Sequence, residues 1–434
     1  MGRWKLRPTD SIDVKGNEGK EVFVAGWVHE KRDLGGIKFI LVRDHLGIVQ
    51  VTWAKNRSSE EIAGVIDTLK INDVVGVRGT VQRMKQAPQG VEISPVSIAV
   101  LNRSVHPLPL DPTGKIKSGL DTRLDARALD LMTPANTALF RLGGKALSSC
   151  RRFFEERGLV EVVTPKIIAT ATEGGASLFP IPYFETTAFL AQSPQLYKEQ
   201  LTLSLGRVFE IATYFRAEPF NTVNHLNEFV SIDIEQAFSD AEDVMKLAEE
   251  MIRRVYEDLM AKAPRELRTL GLDPKVPLTP FKRITYEEAI ERIQKVGVEF
   301  RSGEDITEEA AEKLGMMFDS FYFITRWPSK LRPFYTARNE DEKDISESFD
   351  LMFGDLELGS GSKRVSTKDE LVQRLQEQGL NPQSFDYHLK VYDYGMPPHA
   401  GWAIGFSRFM MAITSLKNIR EVVLYPRDRF RLSP

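Results

Sequence analysis

The residues best suited to chemistry fall in three stretches where polar groups interrupt apolar strands. The first is YFRAEPFNTVNHLNEF, residues 214–229. Arg216 and Glu218 are expected on one strand face at a spacing of two, with a polar loop leading to His225, Glu228 and Phe229. Such a strand–loop–strand could grip a nucleotide, with Arg on phosphate and the ring on the base. Taken alone it reads rather as an ordinary hairpin with an exposed Arg–Glu pair. The second, SFDLMFGDLELGSGSKR, residues 348–364, sets Asp350 and Glu357 about a tight Gly354-Asp355 turn. Paired carboxylates beside phosphates suit Mg2+, and a solvated hairpin would read the same way. Gly359, Ser360, Gly361 and Ser362 allow close approach to the backbone, with Arg364 projecting beside them. The third, YGMPPHAGWAIGFSRFMMAI, residues 394–413, reads as a stiff glycine-rich entry to a helix with Arg408 in its first turn. A buried Arg needs an anion, which a phosphate or a core carboxylate would supply.

The elements that must position these groups read as two bodies. Over residues 20–104, EVFVAGWVHE, IKFILVRDHLGIVQVTW, DVVGVRGTVQRM and GVEISPVSIAVLN are strand-like runs separated by glycine-containing turns, with one helix in SSEEIAGVIDTLK. About five strands and one helix fit a small closed barrel of the oligonucleotide-binding type. VHPLPLDPTGKIKS, residues 105–118, has the composition of a hinge. From 136 to 158 an amphipathic helix runs to Gly158, after which VEVV reads as a strand ending at Pro165. Strands close in sequence with helices appended, AEDVMKLAEEMIRRVYEDLMAKA among them, predict an antiparallel α+β domain. The expected boundaries are 1–104 for the barrel, 105–132 for the linker and 133–434 for the larger domain.

Composition narrows the classes. The 434 residues are 27% charged and 42% hydrophobic, which excludes a disordered chain and any long apolar span. One cysteine, Cys150, excludes internal disulfides and Cys-rich metal sites, so a reducing, cytoplasmic setting is expected. Net charge is −3, yet residues 1–104 carry 16 Lys+Arg against 12 Asp+Glu, and the rest 42 against 49. A mildly basic unit on an acidic body allows an anionic partner at one end. No G-x-G-x-x-G, P-loop or H-E-x-x-H signature is present.

In order and spacing, the three stretches resemble the second and third motifs of class II aminoacyl-tRNA synthetases, with the acidic hairpin between them. FFEERGLVEVVTPKI resembles the first motif, which in that family forms the dimer interface. The N-terminal barrel is similar to that of the aspartate–asparagine–lysine subgroup. TATEGGASLF, AQSPQLYKE, PLPLDPTGK and YPRDRFRLSP resemble the archaeal-type aspartyl enzymes over essentially the whole chain.

The resemblance implies an ATP-dependent aspartate–tRNA ligase, a homodimer using Mg2+, with no membrane association. It implies that Lys198 and Arg364 bind the substrate side-chain carboxylate, helped by His399. Asp233 and Glu173 hold the ammonium, and Ser193 and Gln195 line the pocket. For ATP it implies Arg216 on the α-phosphate and Arg408 on the γ-phosphate. Glu218, His225 and Phe229 serve the adenine and outer phosphates, and Asp350, Glu357 and Ser360 the metal. Asn224 and Ser407 depart from the family pattern, which has Arg and an acidic residue there.

In the barrel it implies that Phe39 and Gln50 read the central anticodon uridine, with Glu92 near the neighbouring bases. Without the resemblance Phe39 reads as barrel core. His29 and Pro88 stand where relaxed relatives carry that pair, which implies charging of tRNA-Asn as well as tRNA-Asp. The rival readings are an asparaginyl relative and a noncatalytic RNA-binding paralogue.

Overall fold

The computed structural model of the chain describes residues 7–170, 178–219 and 222–434. It comprises two compact units, Met1–Asn136 and Thr137–Pro434, so the proline-rich stretch after residue 104 groups with the first. Among the described residues, no helix is long and apolar enough to cross a membrane.

The first unit holds β1 (Glu21–Asp33), β2 (Ile37–Arg43), β3 (Ile48–Ala54), β4 (Val74–Arg83) and β5 (Val91–Asn102). They close into a barrel in the order β1-β2-β3-β5-β4. Alternation decides which side chains fill it. Val22, Val24, Ile40, Val42, Val49, Val51, Trp53, Val75, Val77 and Ile93 point inward and are buried. The helix Glu60–Thr68 adds Ile62, Ala63 and Ile66 to that core.

The second unit continues with β6 (Val160–Glu161), β7 (Ile167–Ile168), β8 (Pro180–Tyr183), β9 (Thr186–Leu190), β10 (Arg207–Phe215) and β11 (Glu228–Ala237). It ends with β12 (Lys282–Thr285), β13 (Phe321–Thr325), β14 (Ser348–Phe353), β15 (Leu356–Lys363) and β16 (His399–Gly405). Eight strands form one sheet, β12-β13-β14-β15-β16-β11-β10-β6, parallel only at β12/β13 and β10/β6. This is the predominantly antiparallel α+β body the sequence predicts. One core joins the inner sheet face, through Phe209, Ile232, Ile234, Trp402 and Ile404, to the helices Pro134–Glu156, Ala241–Lys262 and Phe406–Thr414. Trp402 Nε1 donates to Val244 O at 2.9 Å, pinning sheet to helix. A capping box between Asp240 and Asp243 starts the Ala241–Lys262 helix. Cys150 lies within this core, and burial pushes its thiol up to about 12, as suits an inert packing residue.

Three local expectations are corrected. VEVV is paired only over Val160–Glu161, because it is an edge strand that leaves Val163 92% exposed. Arg216 and Glu218 do not share a strand face. β10 ends at Phe215, and both lie in the loop that follows, where Asn227 Nδ2 donates to the carbonyls of Arg216 and Glu218. HAGWAIG is not a helix entry but β16, paired on both sides, with the helix starting only at Phe406.

Candidate active site

Alternation along β11 sorts its side chains between two environments. Ile232 and Ile234 enter the core, and Phe229, Ser231, Asp233 and Glu235 line the opposite face. On β16 the core takes Ala400, Trp402 and Ile404, so the open face presents His399, Gly401, Ala403 and Gly405. A Cβ on Gly401 would overlap the Glu235 carboxylate, so the missing side chain is what lets Glu235 lie across the strand.

Two buried cations meet there. Lys198, in the helix Gln195–Leu205, donates to Asp233 Oδ1 at 3.1 Å and to Trp402 O at 3.2 Å, and lies 3.4 Å from Glu235 Oε2. Arg364 donates from Nε to Glu235 Oε1 at 2.9 Å, from Nη2 to Oε2 at 3.3 Å and from Nη1 to Ser362 Oγ at 2.5 Å. Burial opposes the Arg364 charge, but Glu235 outweighs it and raises the guanidinium's pKa. Lys198 and Arg364 therefore converge on one carboxylate. That carboxylate, Glu235, bridges the two cations. Arg364 spends three of its five N–H groups on Glu235 and Ser362, which leaves two for a ligand.

Two further residues have buried polar atoms without partners. Asp233 Oδ2 and both polar atoms of Gln192 are buried with no hydrogen bond among the described residues. Burial raises the Asp233 carboxyl's pKa, against the pull of Lys198. Buried polar atoms left without a protein partner call for an explanation, and a polar ligand is one. Gln195 Nε2 donates to the fully buried Glu199 at 2.6 Å, and Gln195 N donates to Ser193 Oγ at 3.3 Å. His388 Nε2 and His399 Nε2 lie 3.3 and 3.8 Å from Glu199. His399 thus faces Glu199, while its Nδ1 is 2.8 Å from Pro397 O. Glu173 lies outside the described residues.

On the same sheet face, Arg216, Glu218, Asn224, His225, Phe229, Glu357, Ser360, Ser407 and Arg408 line a cavity of about 250 Å³, which also includes Ser231 and Ala403. Arg216 lies over the Phe229 ring at 5.4 Å, and its Nε is buried without a partner. Arg408 donates to Glu357 O at 2.9 Å. Burial and the Arg408 charge lower the His225 pKa, which disfavours the charged ring. This is a polar slot with an aromatic wall and two guanidinium groups.

Asp350 lines an adjoining cavity that shares Asn224, His225, Glu357 and Arg408 with the first. Its Oδ2 accepts from Arg332 Nη2 at 2.7 Å, and its Oδ1 is buried and unpartnered. Burial, reinforced by Glu357, pushes its carboxyl up to about 7 despite Arg332. The orphan oxygen beside Glu357 fits a hard cation. Because the folded-state value is raised, stability from this group is full below about pH 4 and is lost as pH rises toward 7. Asp350→Asn should flatten this loss. Melting temperatures of metal-free variant and wild type between about pH 4.5 and 7.5 check it, and parallel curves would contradict it.

In the barrel, Phe39 pairs with Thr52, Leu41 with Gln50, and Gln50 with Glu92. Ile40, Val42, Val49, Val51, Val91 and Ile93 point inward, so Phe39, Gln50 and Glu92 lie on the outer face of the sheet, where Glu92 is itself buried. Phe39 is therefore not barrel core. Gln50 Nε2 donates to Glu92 Oε2 at 3.0 Å, and Thr52 Oγ1 to the same oxygen at 2.5 Å. His29 sits at the β1 bulge beside Glu30, whose β2 partner Leu41 adjoins Gln50. Pro88 begins the Pro88–Gly90 turn, where Gln89 Nε2 donates to Ile48 O at 2.9 Å.

Residues 119–429 match the family of class II tRNA synthetases (D, K and N). The chain belongs to that family. Residues 22–101 of this synthetase match the OB-fold nucleic acid binding domain. It is 51% identical to the aspartate–tRNA(Asp/Asn) ligase of Methanothermobacter thermautotrophicus over 96% of each chain. It is 49% identical to that of Archaeoglobus fulgidus, over 98% of this chain and 99% of the relative. In structure it is similar to the asparaginyl-tRNA synthetase of Pyrococcus horikoshii complexed with asparaginyl-adenylate. That match has a TM-score of 0.94 at 30% identity, over 99% of this chain and 100% of the other. The aspartyl-tRNA synthetase of Entamoeba histolytica gives 0.88 at 29% identity, over 100% and 94%. Sequence reasoning missed Glu235, Gln192, Glu199 and Arg332 in this synthetase. For Glu235 the signal was present, since Ser231, Asp233 and Glu235 alternate with Ile232 and Ile234.

Proposed function

We propose that this synthetase activates L-aspartate with ATP and transfers the aspartyl group to the 3′ end of tRNA-Asp and tRNA-Asn. The observation that carries the reading is the convergence of Lys198 and Arg364 on one buried carboxylate, beside the cavity lined by Arg216 and Arg408. In this reading Lys198, Arg364 and His399 take the side-chain carboxylate of aspartate. Asp233 and Glu173 take its ammonium, and Ser193 and Gln195 shape the pocket. Arg216 holds the α-phosphate and the attacking carboxylate, Phe229 the adenine, Glu218 and His225 the adenine and outer phosphates, and Arg408 the γ-phosphate. Asp350, Glu357 and Ser360 would hold Mg2+, which when bound neutralises charge on the triphosphate.

The substrate α-carboxylate attacks the α-phosphorus in line as the bond to the bridging oxygen breaks. This gives aspartyl-adenylate and pyrophosphate. The terminal 3′-hydroxyl of tRNA then attacks the carbonyl, its proton passes to the phosphate of the departing AMP or to solvent, and AMP leaves with the bonding pair. The first nucleophile is already an anion, so the chain's work is orientation and charge stabilisation rather than covalent catalysis.

The barrel, expected as residues 1–104, reads the anticodon through Phe39, Gln50 and Glu92, with residues 105–132 as hinge. Splayed bases are read by stacking plus edge hydrogen bonds, which an outward Phe beside an amide and a carboxylate supplies. Phe39→Ala should lower kcat/KM for tRNA about 10- to 100-fold, the worth of one base stack, and leave ATP–pyrophosphate exchange unchanged. An equal loss in both assays would contradict this. His29 and Pro88, with relatives named for both tRNAs, support charging of tRNA-Asn. Aspartylation of tRNA-Asp and tRNA-Asn transcripts side by side tests this. Comparable charging is expected, and no charging of tRNA-Asn would refute the relaxed specificity. The exposed Val160, Val163 and Ile167 support a homodimer through this first-motif edge. The single buried cysteine suits a cytoplasmic setting.

A further inference from the structure

The loop between β10 and β11 carries Arg216, Glu218, Asn224 and His225 into the nucleotide cavity. Side chains on a loop are only as well placed as the backbone beneath them. Here the backbone is held from outside the loop. Three successive loop carbonyls each accept a hydrogen bond from residues after β16. Thr222 O accepts from Arg420 Nη1 at 2.9 Å, Val223 O from Ile419 N at 2.8 Å and Asn224 O from Arg408 Nε at 3.4 Å. Elsewhere in the loop, Asn227 N donates to Arg427 O at 2.9 Å as part of a backbone β-bridge between Glu228 and Arg427, and Arg429 Nη1 donates to Pro219 O at 3.1 Å.

One ion pair ties these contacts together. Arg420 Nε donates to Asp428 Oδ2 at 2.7 Å, and both side chains are largely buried, at 11% and 7% exposure. Asp428 Oδ1 accepts from Phe430 N and Arg431 N, each at 2.9 Å, which fixes the turn after Arg427. Arg420 thus joins the loop carbonyl at Thr222 to the turn that docks on Asn227. Thr222 in turn holds His225, its Oγ1 lying 2.6 Å from His225 Nδ1. Arg420 itself is absent from the nucleotide cavity's wall, whereas its neighbour Ile419 lines it.

We infer that Arg420 and Asp428 are a positioning pair that sets the 222–227 arm of this loop, and through Thr222 the His225 ring, for ATP. The inference rests on the reading that this cavity holds ATP. It predicts a selective effect. Among the described residues the pair's hydrogen bonds run to the loop and the C-terminal turn, with none to the Lys198–Arg364–Glu235 cluster, so the KM for ATP should move and that for aspartate should not.

ATP–pyrophosphate exchange by the full chain, with ATP and aspartate varied in turn, tests the pair. Arg420→Ala is expected to raise the KM for ATP about 10-fold, the worth of one charge-assisted hydrogen bond, with the KM for aspartate within about 2-fold. Arg420→Lys should recover part of this, because one ammonium can keep the charge but not both contacts. If Arg420→Ala fails to fold by circular dichroism, Asp428→Asn decides on the same criterion, since Asn keeps the acceptor for Phe430 N and Arg431 N but loses the charge. An unchanged KM for ATP, or a fall in kcat that tracks the folded fraction with both KM values constant, would overturn the inference. Arg216→Ala is the separate control. Normal exchange there would sink the ATP-site reading itself.

Discussion

Arg364→Gln is expected to lower aspartate-dependent ATP–pyrophosphate exchange by about two to three orders of magnitude. Arg364 supplies two hydrogen bonds to a carboxylate that is wholly buried. Removing one partner of such a pair costs about 3–5 kcal/mol, because the remaining charge is left uncompensated. Here that remaining charge is Glu235, and it would then draw on Lys198 alone, 3.4 Å away. The substrate's own carboxylate would then meet a neutral Lys198–Glu235 pair in place of a cluster of net positive charge. Arg364→Lys should fall between, since an ammonium restores charge without the planar fork that spans both Glu235 oxygens. Exchange assays paired with thermal melting separate loss of recognition from loss of fold. Exchange within about threefold of wild type in a folded variant would contradict the assignment.

Arg216→Ala is expected to remove adenylate formation while leaving the fold intact. Its side chain is 40% exposed, lies 4.0 Å from Glu218 and rests over the Phe229 ring. None of these is a core contact, so the melting temperature should stay within about 2 °C. The Arg216 charge is placed to meet developing negative charge at the α-phosphate, and losing one such preorganised donor costs about 10²- to 10³-fold in kcat. Single-turnover measurement of adenylate formation checks this directly. A normal rate would refute the role given to Arg216.

Much of this was legible from residue spacing. Valines and isoleucines at every second position in residues 20–104 closed the barrel, because period-two alternation has one inward face. Arg216, Glu357 and Arg408 came from three distant stretches and line one cavity. Other features were hidden for physical reasons. Val163 looks like a strand residue but has no partner, since pairing depends on what lies beside an edge. β16 was masked by its glycines, which read as turn formers. Their purpose is close approach, Gly401 making room for Glu235. Glu199 and His388 lie 3.3 Å apart yet far apart in sequence, and only the folded topology joins them. Glu235 changed the electrostatic picture most, because it offsets only one of the two cationic charges and leaves a cluster of net positive charge with donors to spare.

The central claim is that the Lys198–Arg364–Glu235 cluster selects a side-chain carboxylate over a side-chain amide. ATP–pyrophosphate exchange with L-aspartate against L-asparagine, at equal concentrations and with wild-type protein, tests it most directly. A preference for aspartate of about 10³ or more in kcat/KM is predicted, because an amide would leave the site's spare charged donors unpaired. Equal exchange with asparagine, or a preference for it, would contradict the account.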